Sequence, residues 1–439
     1  MALNPTTPAD DKPSLISFDK STVVVWIAIS LLLVETFSGA LRFYFDKAGI
    51  SPILYLPKVA CILLFIMELH LFKAGRLFWT GLMLWLLSGL LAMLHGASVF
   101  NLAFGLFALS PLLFGLVCSE YLIHRRKLLC WAIALCLLAS LVGLALDKFT
   151  FVPWKGYSYS VGETQLSANT SWSAGDEDRV AGFARMSSQL SILIAIYTFY
   201  LFAFLRSRLI LMLLSGVALY AIVLTTSKAP AGAFALTLAL LLIRRMPWTS
   251  RIVCIVAVAI GLLLPTLGLI HDFDARTVSS SDSTMTSLYD RLINTWPNLT
   301  DAILREGWGM TGAGFGMVGS AMALFPVAGA GIFMTADSSV MYLWAMLGVA
   351  GLLLYTLLVP MFFALIGDES RLGRTLLAIS FCCCLISWTT DIFEVAVANL
   401  FIGLTIGHVL TNPREDALQA ARTPELQMAA LPALPRSPT

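Results

Sequence analysis

The segment from His271 to Gly351 is the longest polar interruption in an otherwise apolar chain, and it carries Arg291, Arg305 and Asp337. Asp337 stands in TADSSVMYLWAML, where the polar stretch re-enters an apolar run. A carboxylate there can take a proton from a hydroxyl or orient it. The plainer alternative is a helix N-cap, a common use of an aspartate followed by serines. An earlier polar segment ends in GDEDRVAGFARMSSQLS, with Arg179 and Arg185 next to an apolar run. On one continuous helix these two arginines diverge at about 100° per residue, so they converge only if the helix begins after Arg179, as Gly182 permits. Alternatively they pair with Asp176, Glu177 and Asp178 as a solvated charge cluster. In LTTSKAPAGAFAL, Lys228 offers a point charge for phosphate and Ser227 a hydrogen bond, among small residues that let a substrate approach. The competing reading is a lysine snorkelling to lipid headgroups.

These residues need elements to hold them. LYDRLINTWPNLTDAILREGWGMTGAGFGM predicts a helix over about 287–306 ending in a glycine-rich turn. Trp296, Leu299 and Ile303 recur at helical spacing, as one face of an interfacial amphipathic helix requires. Pro297 interrupts that helix or starts a second one. Gly312, Gly314 and Gly316 lack the strand before, the helix after and the Lys-Ser/Thr of a phosphate-binding loop. A turn that brings backbone close to the membrane is the better use for them. Glu35, Lys58, Glu68, Glu120, Asp391 and Glu394 fall in or beside apolar runs, where ionisable groups are functional candidates by default. Asp391 and Glu394 sit at the turn between the last two runs, close enough in topology to join the site, and Glu120 is expected to pair with His124 and Arg125.

With 58% hydrophobic and 12% charged residues, the chain departs far from soluble proteins, which average about 25% charged. It reads as an all-α polytopic membrane protein. The net charge of +2 gives no basic footprint for nucleic acid. All eight cysteines lie in apolar stretches without zinc-ligand spacing, so they read as helix-packing residues, and no metal or cofactor is expected.

A bilayer-spanning helix takes about 20 apolar residues. Candidate spans are 22–40, 53–72, 77–95, 102–121, 128–146, 188–205, 209–225, 229–243, 252–270, 339–365, 375–391 and 394–411. The span at 229–243 is short, so eleven spans compete with twelve; twelve place both termini on one side, and the basic residues choose that side. Lys12, Lys20, Lys73, Arg76, Arg125, Arg126, Lys127, Arg206, Arg208, Arg244, Arg245, Arg251, Arg371, Arg374, Arg414, Arg422 and Arg436 then share it, while the short opposite loops carry only Arg42, Lys47 and Lys228. Both termini are therefore expected in the cytoplasm. The expected organisation is a cytoplasmic tail (1–21), a bundle (22–146), a first outer loop (147–187), central helices (188–270), a second outer loop (271–338), C-terminal helices (339–411) and a proline- and alanine-rich, disordered cytoplasmic tail (412–439). The N-terminus lacks the pattern of a cleaved signal peptide.

Across about 170–355, Arg179 and Gly182 before an apolar run, Ser227-Lys228 followed by small residues, YDRLINTWPNLTDAILREGWGMTGAGFG and Asp337 eleven positions before GVAG together resemble the bacterial O-antigen ligase and Wzy-type polymerase superfamily. The resemblance implies a GT-C-like membrane glycosyltransferase of about 12 transmembrane helices with two long periplasmic loops. It implies inverting, metal-independent chemistry on undecaprenyl-diphosphate-linked sugars at the periplasmic face of the bacterial inner membrane. Where ligases carry a histidine in HNxYL, this chain has Asp337 in DSSVM, which looks more like the polymerase branch. Where the family has Ser-Arg, this chain has Ser227-Lys228, which keeps the charge and loses the bidentate fork.

In that chemistry cations neutralise the departing diphosphate and a positioned base takes the acceptor's proton. Arg179, Arg185, Ser227, Lys228 and Arg305 are the candidate diphosphate contacts, and Asp337 and Arg291 the candidate catalytic residues. The partners implied are a lipid-linked glycan donor and acceptor in the bilayer, with a flippase and a chain-length regulator. Transfer of glycan to lipid A core by a ligase, or transport of lipid-linked oligosaccharide by a flippase, are the alternatives. A transporter, however, should show internal repeats and mid-membrane charge pairs.

Overall fold

A computed structural model describes residues 19–72, 75–161, 164–170, 173–174, 177–271 and 286–411. Most of the expected N-terminal tail, the whole expected C-terminal tail and the start of the second polar loop lie outside the described residues.

The protein is a helical, membrane-embedded chain, and helices occupy every expected apolar segment. In order they are α1 (Lys20–Thr36), α2 (Ser38–Lys47), α3 (Leu56–Leu69, entered through a 3-10 turn at Ser51–Tyr55), α4 (Arg76–Leu94), α5 (Val99–Val117), α6 (Ser119–His124) and α7 (Arg126–Phe149). Next come α8 (Ser187–Leu201), α9 (Arg208–Leu224), α10 (Lys228–Ile243), α11 (Pro247–Leu263) and α12 (Leu267–Ile270). The second polar segment holds α13 (Thr286–Asp290), α14 (Trp296–Arg305) and α15 (Ser320–Leu324). The chain closes with α16 (Ser339–Leu347), α17 (Val349–Thr356), α18 (Leu358–Gly367), α19 (Arg371–Ile386) and α20 (Ala396–Thr411).

Among the described residues, six helical stretches are long and apolar enough to cross a membrane: Ser51–Leu69, Arg76–Leu94, Val99–Val117, Arg126–Phe149, Pro247–Ile270 and Val349–Gly367. The α1–α2 pair makes a seventh if counted as one span, although its halves bend by 85°. Helix length therefore qualifies fewer crossings than the twelve apolar segments, because turns claim residues at their ends. Fifteen-residue α8, for example, rises only about 22 Å against a hydrocarbon core of about 30 Å.

The core forms around α8 and α19, which bury almost every side chain. α8 packs on α7, α9, α10 and α19, and α19 also packs on α10 and α18. Glu35, Lys58 and Glu68 are paired, as burial in a poorly solvating medium demands. Glu35 meets Lys58 at 3.2 Å and accepts from Gln189, while Glu68 meets Lys20 at 2.6 Å. Arg125 pairs with Asp19, the N-cap of α1, and with Ser21 in its first turn rather than with the expected Glu120. All eight cysteines are free, and all but Cys130 are buried in helix contacts.

The first polar loop forms two short antiparallel hairpins, Ser158–Val161 with Thr164–Ser167 and Ser173–Ala174 with Glu177–Asp178. The second threads its glycine run into the bundle. Ala313 and Gly314 donate to the carbonyls of Ala345 and Met346 at 2.7 and 3.2 Å, and Phe315 donates to Ser88 on α4. Gly314 has φ +109°, and a β-carbon there would sit 2.5 Å from the Ala92 nitrogen. Gly314→Ala is therefore expected to destabilise the protein by about 2–4 kcal/mol. Thermal unfolding in detergent checks this, and an unchanged midpoint would show that α4 can move aside.

Candidate functional site

Asp337 occupies a strained turn that the local sequence alone does not dictate. Its φ is +51°, in the left-handed region that aspartate enters more readily than most residues but still at a cost. What holds it is Asp391, on the connection between α19 and α20. The Asp391 carboxylate accepts three consecutive backbone N–H groups, from Ala336 at 3.2 Å, Asp337 at 3.1 Å and Ser338 at 3.0 Å. Ser339 ties the same connection, donating to the Thr390 carbonyl at 3.1 Å and accepting from the Ile392 N–H at 2.9 Å. Glu394, three residues on, accepts from the backbone N–H and the hydroxyl of Ser320 at 3.2 and 2.5 Å. Two remote segments thus meet at the mouth of α16.

Asp337 does not cap α16. Ser338 holds the N-cap position, and its buried hydroxyl has no hydrogen-bond partner. The Asp337 side chain turns instead to Arg291, whose Nε lies 3.3 Å from Oδ2. That Nε is buried against Asp337 and makes no aligned hydrogen bond. Arg291 is itself braced, because Nη1 donates to the hydroxyl and carbonyl of Ser287 at 2.7 and 3.2 Å.

The helix expected over 287–306 is broken into α13, a π-helical turn at Arg291–Thr295 and α14. Pro297 takes the first turn of α14, where its missing N–H costs nothing. Single π-turns of this kind are rare and concentrate at functional positions. Trp296, Leu299 and Ile303 form the expected apolar face, but all three are fully buried in protein rather than laid on a lipid surface. Trp296 Nε1 donates to the Ala336 carbonyl at 3.1 Å, which docks α14 one residue before Asp337. The element carrying Arg291 and the turn carrying Asp337 are thereby fixed to each other.

The other candidate residues occupy other places. Arg305 is exposed and pairs along its own helix with Asp301 at 3.9 Å. Ser227 is buried at the N-cap of α10 without a side-chain capping bond, and Lys228 opens that helix on an exposed face. Thr226, just before them, has φ +58°. Arg179 is partly buried after the second hairpin, with a buried Nε that has no hydrogen-bond partner. Both Arg179 and Arg185 precede α8, so no helix sets their relative direction. Arg185 Nε donates to the Ser167 carbonyl at 3.0 Å, and its backbone N–H to Ser38 Oγ at 3.1 Å. Burial, and next the Arg42 guanidinium, lower the Arg185 pKa. Asp147, at the end of α7, clamps the intervening turn by accepting from the N–H groups of Ala181 and Gly182, both at 2.9 Å. Neither Asp147 nor Arg42 stands out in the sequence, where each is one charge at the edge of an apolar run.

Burial, then the negative charges of Asp337 and Glu394, push the Asp391 carboxyl up to about 8, against the opposing pull of its backbone N–H donors. A raised acid pKa stabilises the fold below the unfolded value, and that stabilisation is lost as pH rises through the folded one. Stability from this group should thus fall between pH 3.8 and about 8 and then level off. In Asp391→Asn this part of the pH dependence should vanish from a series of melting curves. Parallel curves for the two proteins would show that Asp391 does not titrate in that window.

Among the described residues no His/Cys/Asp/Glu group is arranged to hold a metal ion. The site offers a carboxylate paired with a braced guanidinium, chemistry suited to binding an anion beside a hydroxyl. No family model and no curated protein matches this chain.

Proposed function

We propose that this protein is a bacterial inner-membrane glycosyltransferase, GT-C-like with twelve membrane segments and both termini cytoplasmic. In this reading it polymerises undecaprenyl-diphosphate-linked oligosaccharide repeat units into a surface or secreted polysaccharide at the periplasmic face. The observation that carries the proposal is the Arg291–Asp337 ion pair on a turn held by Asp391, in the segment that carries the family resemblance.

The acceptor hydroxyl attacks the anomeric carbon, the bond from that carbon to the diphosphate oxygen breaks, and the diphosphate leaves with the electron pair. Arg291 faces the departing charge with its guanidinium. Asp337, relieved of its partner by the diphosphate, takes the proton from the hydroxyl. Attack opposite the leaving group inverts the anomeric centre. Arg179, Arg185, Ser227 and Lys228 are further candidates for the diphosphate, and Arg305, on the exposed face of α14, for a peripheral contact.

Lys228 has its own test. If its charge is the requirement, Lys228→Arg should keep most activity and Lys228→Met should lose it, as followed by elongation at matched expression. Equal rates would return Lys228 to lipid snorkelling. The overall proposal is tested by giving the purified protein an undecaprenyl-diphosphate repeat unit with chelator present. Longer lipid-linked glycans are expected. Transfer to lipid A core without elongation would replace the polymerase with a ligase, and binding without a new glycosidic bond would replace it with a transporter.

A further inference from the structure

His95 follows the last turn of α4 as a half-buried ring outside the Arg291–Asp337 pair, and two contacts fix it. Its Nδ1 lies 2.8 Å from the Ala313 carbonyl in the glycine run, and its ring stacks on the half-buried indole of Trp308 at 4.5 Å and 20°. A carbonyl can only accept, so Nδ1 carries the hydrogen and, in the neutral ring, Nε2 is a bare acceptor. Trp308 is fixed in turn. Its backbone N–H donates to the Ile303 carbonyl of α14 at 2.8 Å, and the carbonyl of the next residue, Gly309, accepts from Trp344 Nε1 on α16 at 3.0 Å. The far side of the indole lies 5.7 Å from buried Phe333, three residues before the Ala336 carbonyl that accepts from Trp296. The two stacked rings are therefore tied to the same segments that carry Arg291 and Asp337. Among the described residues, neither His95 Nε2 nor Trp308 Nε1 meets a hydrogen-bond partner in the protein.

We infer that His95 and Trp308 form a sugar-binding subsite, with Nε2 accepting from one hydroxyl and the indole N–H donating to the oxygen of a neighbouring one. The two atoms together select the ligand class. A bare ring nitrogen needs a donor, which an ionised phosphate or carboxylate lacks, and an indole N–H needs an acceptor, which an ammonium lacks. Adjacent hydroxyls on a sugar ring supply both. A metal ion is a poor fit, because among the described residues His95 belongs to no group of metal-ligating side chains. Assigning that sugar to the repeat unit rests on the polymerase reading, although the donor and acceptor pair does not. In that reaction His95 recognises the glycan and takes no proton, which leaves the chemical step to Asp337.

Amide substitutions separate the two ring nitrogens. Asparagine places an N–H where Nδ1 stands and nothing where Nε2 stands, so His95→Asn should keep the bond to Ala313 and the wild-type melting temperature. It should weaken binding of an undecaprenyl-diphosphate repeat unit about 3–10-fold, the effect of one neutral hydrogen bond, as read by native mass spectrometry of the full chain in nanodiscs. Binding of glycan-free undecaprenyl diphosphate should not change. In elongation the loss should appear in KM, with kcat close to wild type. His95→Gln, whose amide oxygen reaches the Nε2 position, should recover part of the affinity, and Trp308→Phe, which keeps a ring and removes the N–H, should lose a similar factor. Wild-type affinity for the repeat unit in both His95→Asn and Trp308→Phe, or an equal loss for the glycan-free lipid, would overturn the subsite, and continued elongation would then leave the polymerase reading standing. Glycan-dependent binding that His95→Asn weakens, in a protein that forms no glycosidic bond, would uphold the subsite and remove the polymerase reading.

Discussion

Asp337→Asn is expected to fold normally and to elongate about 10²–10⁴-fold more slowly, the range typical of losing a positioned general base. Asparagine tolerates the +51° φ of this turn as well as aspartate does, and the three N–H groups given to Asp391 belong to the backbone, so the change leaves them in place. What it removes is the negative charge facing Arg291 and the ability to take a proton. Alanine is a poorer probe, because it adds backbone strain to the chemical change. The measurement is single-turnover elongation at saturating donor, repeated at raised pH, where solvent can take over part of the deprotonation. A folded asparagine variant that elongates at the wild-type rate would leave Asp337 a structural residue and the site defined by its cations.

Arg291→Ala should cost about 1.5–3 kcal/mol of transition-state stabilisation, the worth of one charge-assisted contact to the diphosphate. That corresponds to roughly 10–150-fold in rate. Lysine should rescue only part of it. Arg291 reaches Ser287 through Nη1 while presenting Nε to Asp337, and a single ammonium cannot occupy both positions. Because the two residues form one ion pair, their effects should not add: Arg291→Ala combined with Asp337→Asn should lose less than the product of the single losses. Strict multiplicativity would mean that the two act independently, and wild-type elongation by Arg291→Ala would remove it from the reaction.

The sequence by itself determined the class of molecule and several local elements. Apolar runs of helical length make a helical membrane protein whatever their order, because a backbone in lipid must satisfy its own hydrogen bonds. The spacing of Trp296, Leu299 and Ile303 marked one apolar helical face, and Pro297 marked a break or a helix start, since both signals are read within a few residues. The position of Asp337 at the re-entry into an apolar run was equally legible. What that aspartate does there was not, because an N-cap and a side chain turned away from the helix have the same local sequence.

Tertiary structure alone decided the rest. Asp391 reaches Asp337 across 54 residues, and the Arg185 backbone reaches Ser38 across 147. The apolar face of α14 turned inward rather than to lipid because Trp296 found the Ala336 carbonyl, a partner forty residues away. Periodicity gives a face its polarity but does not name what covers it. Charges at the ends of apolar runs look alike in sequence, whether they end as the solvated Arg305–Asp301 pair or as the Arg291–Asp337 pair. The physical reason is that a helix forms from interactions three or four residues apart, whereas the partner of a charge depends on which helix ends the packing brings together.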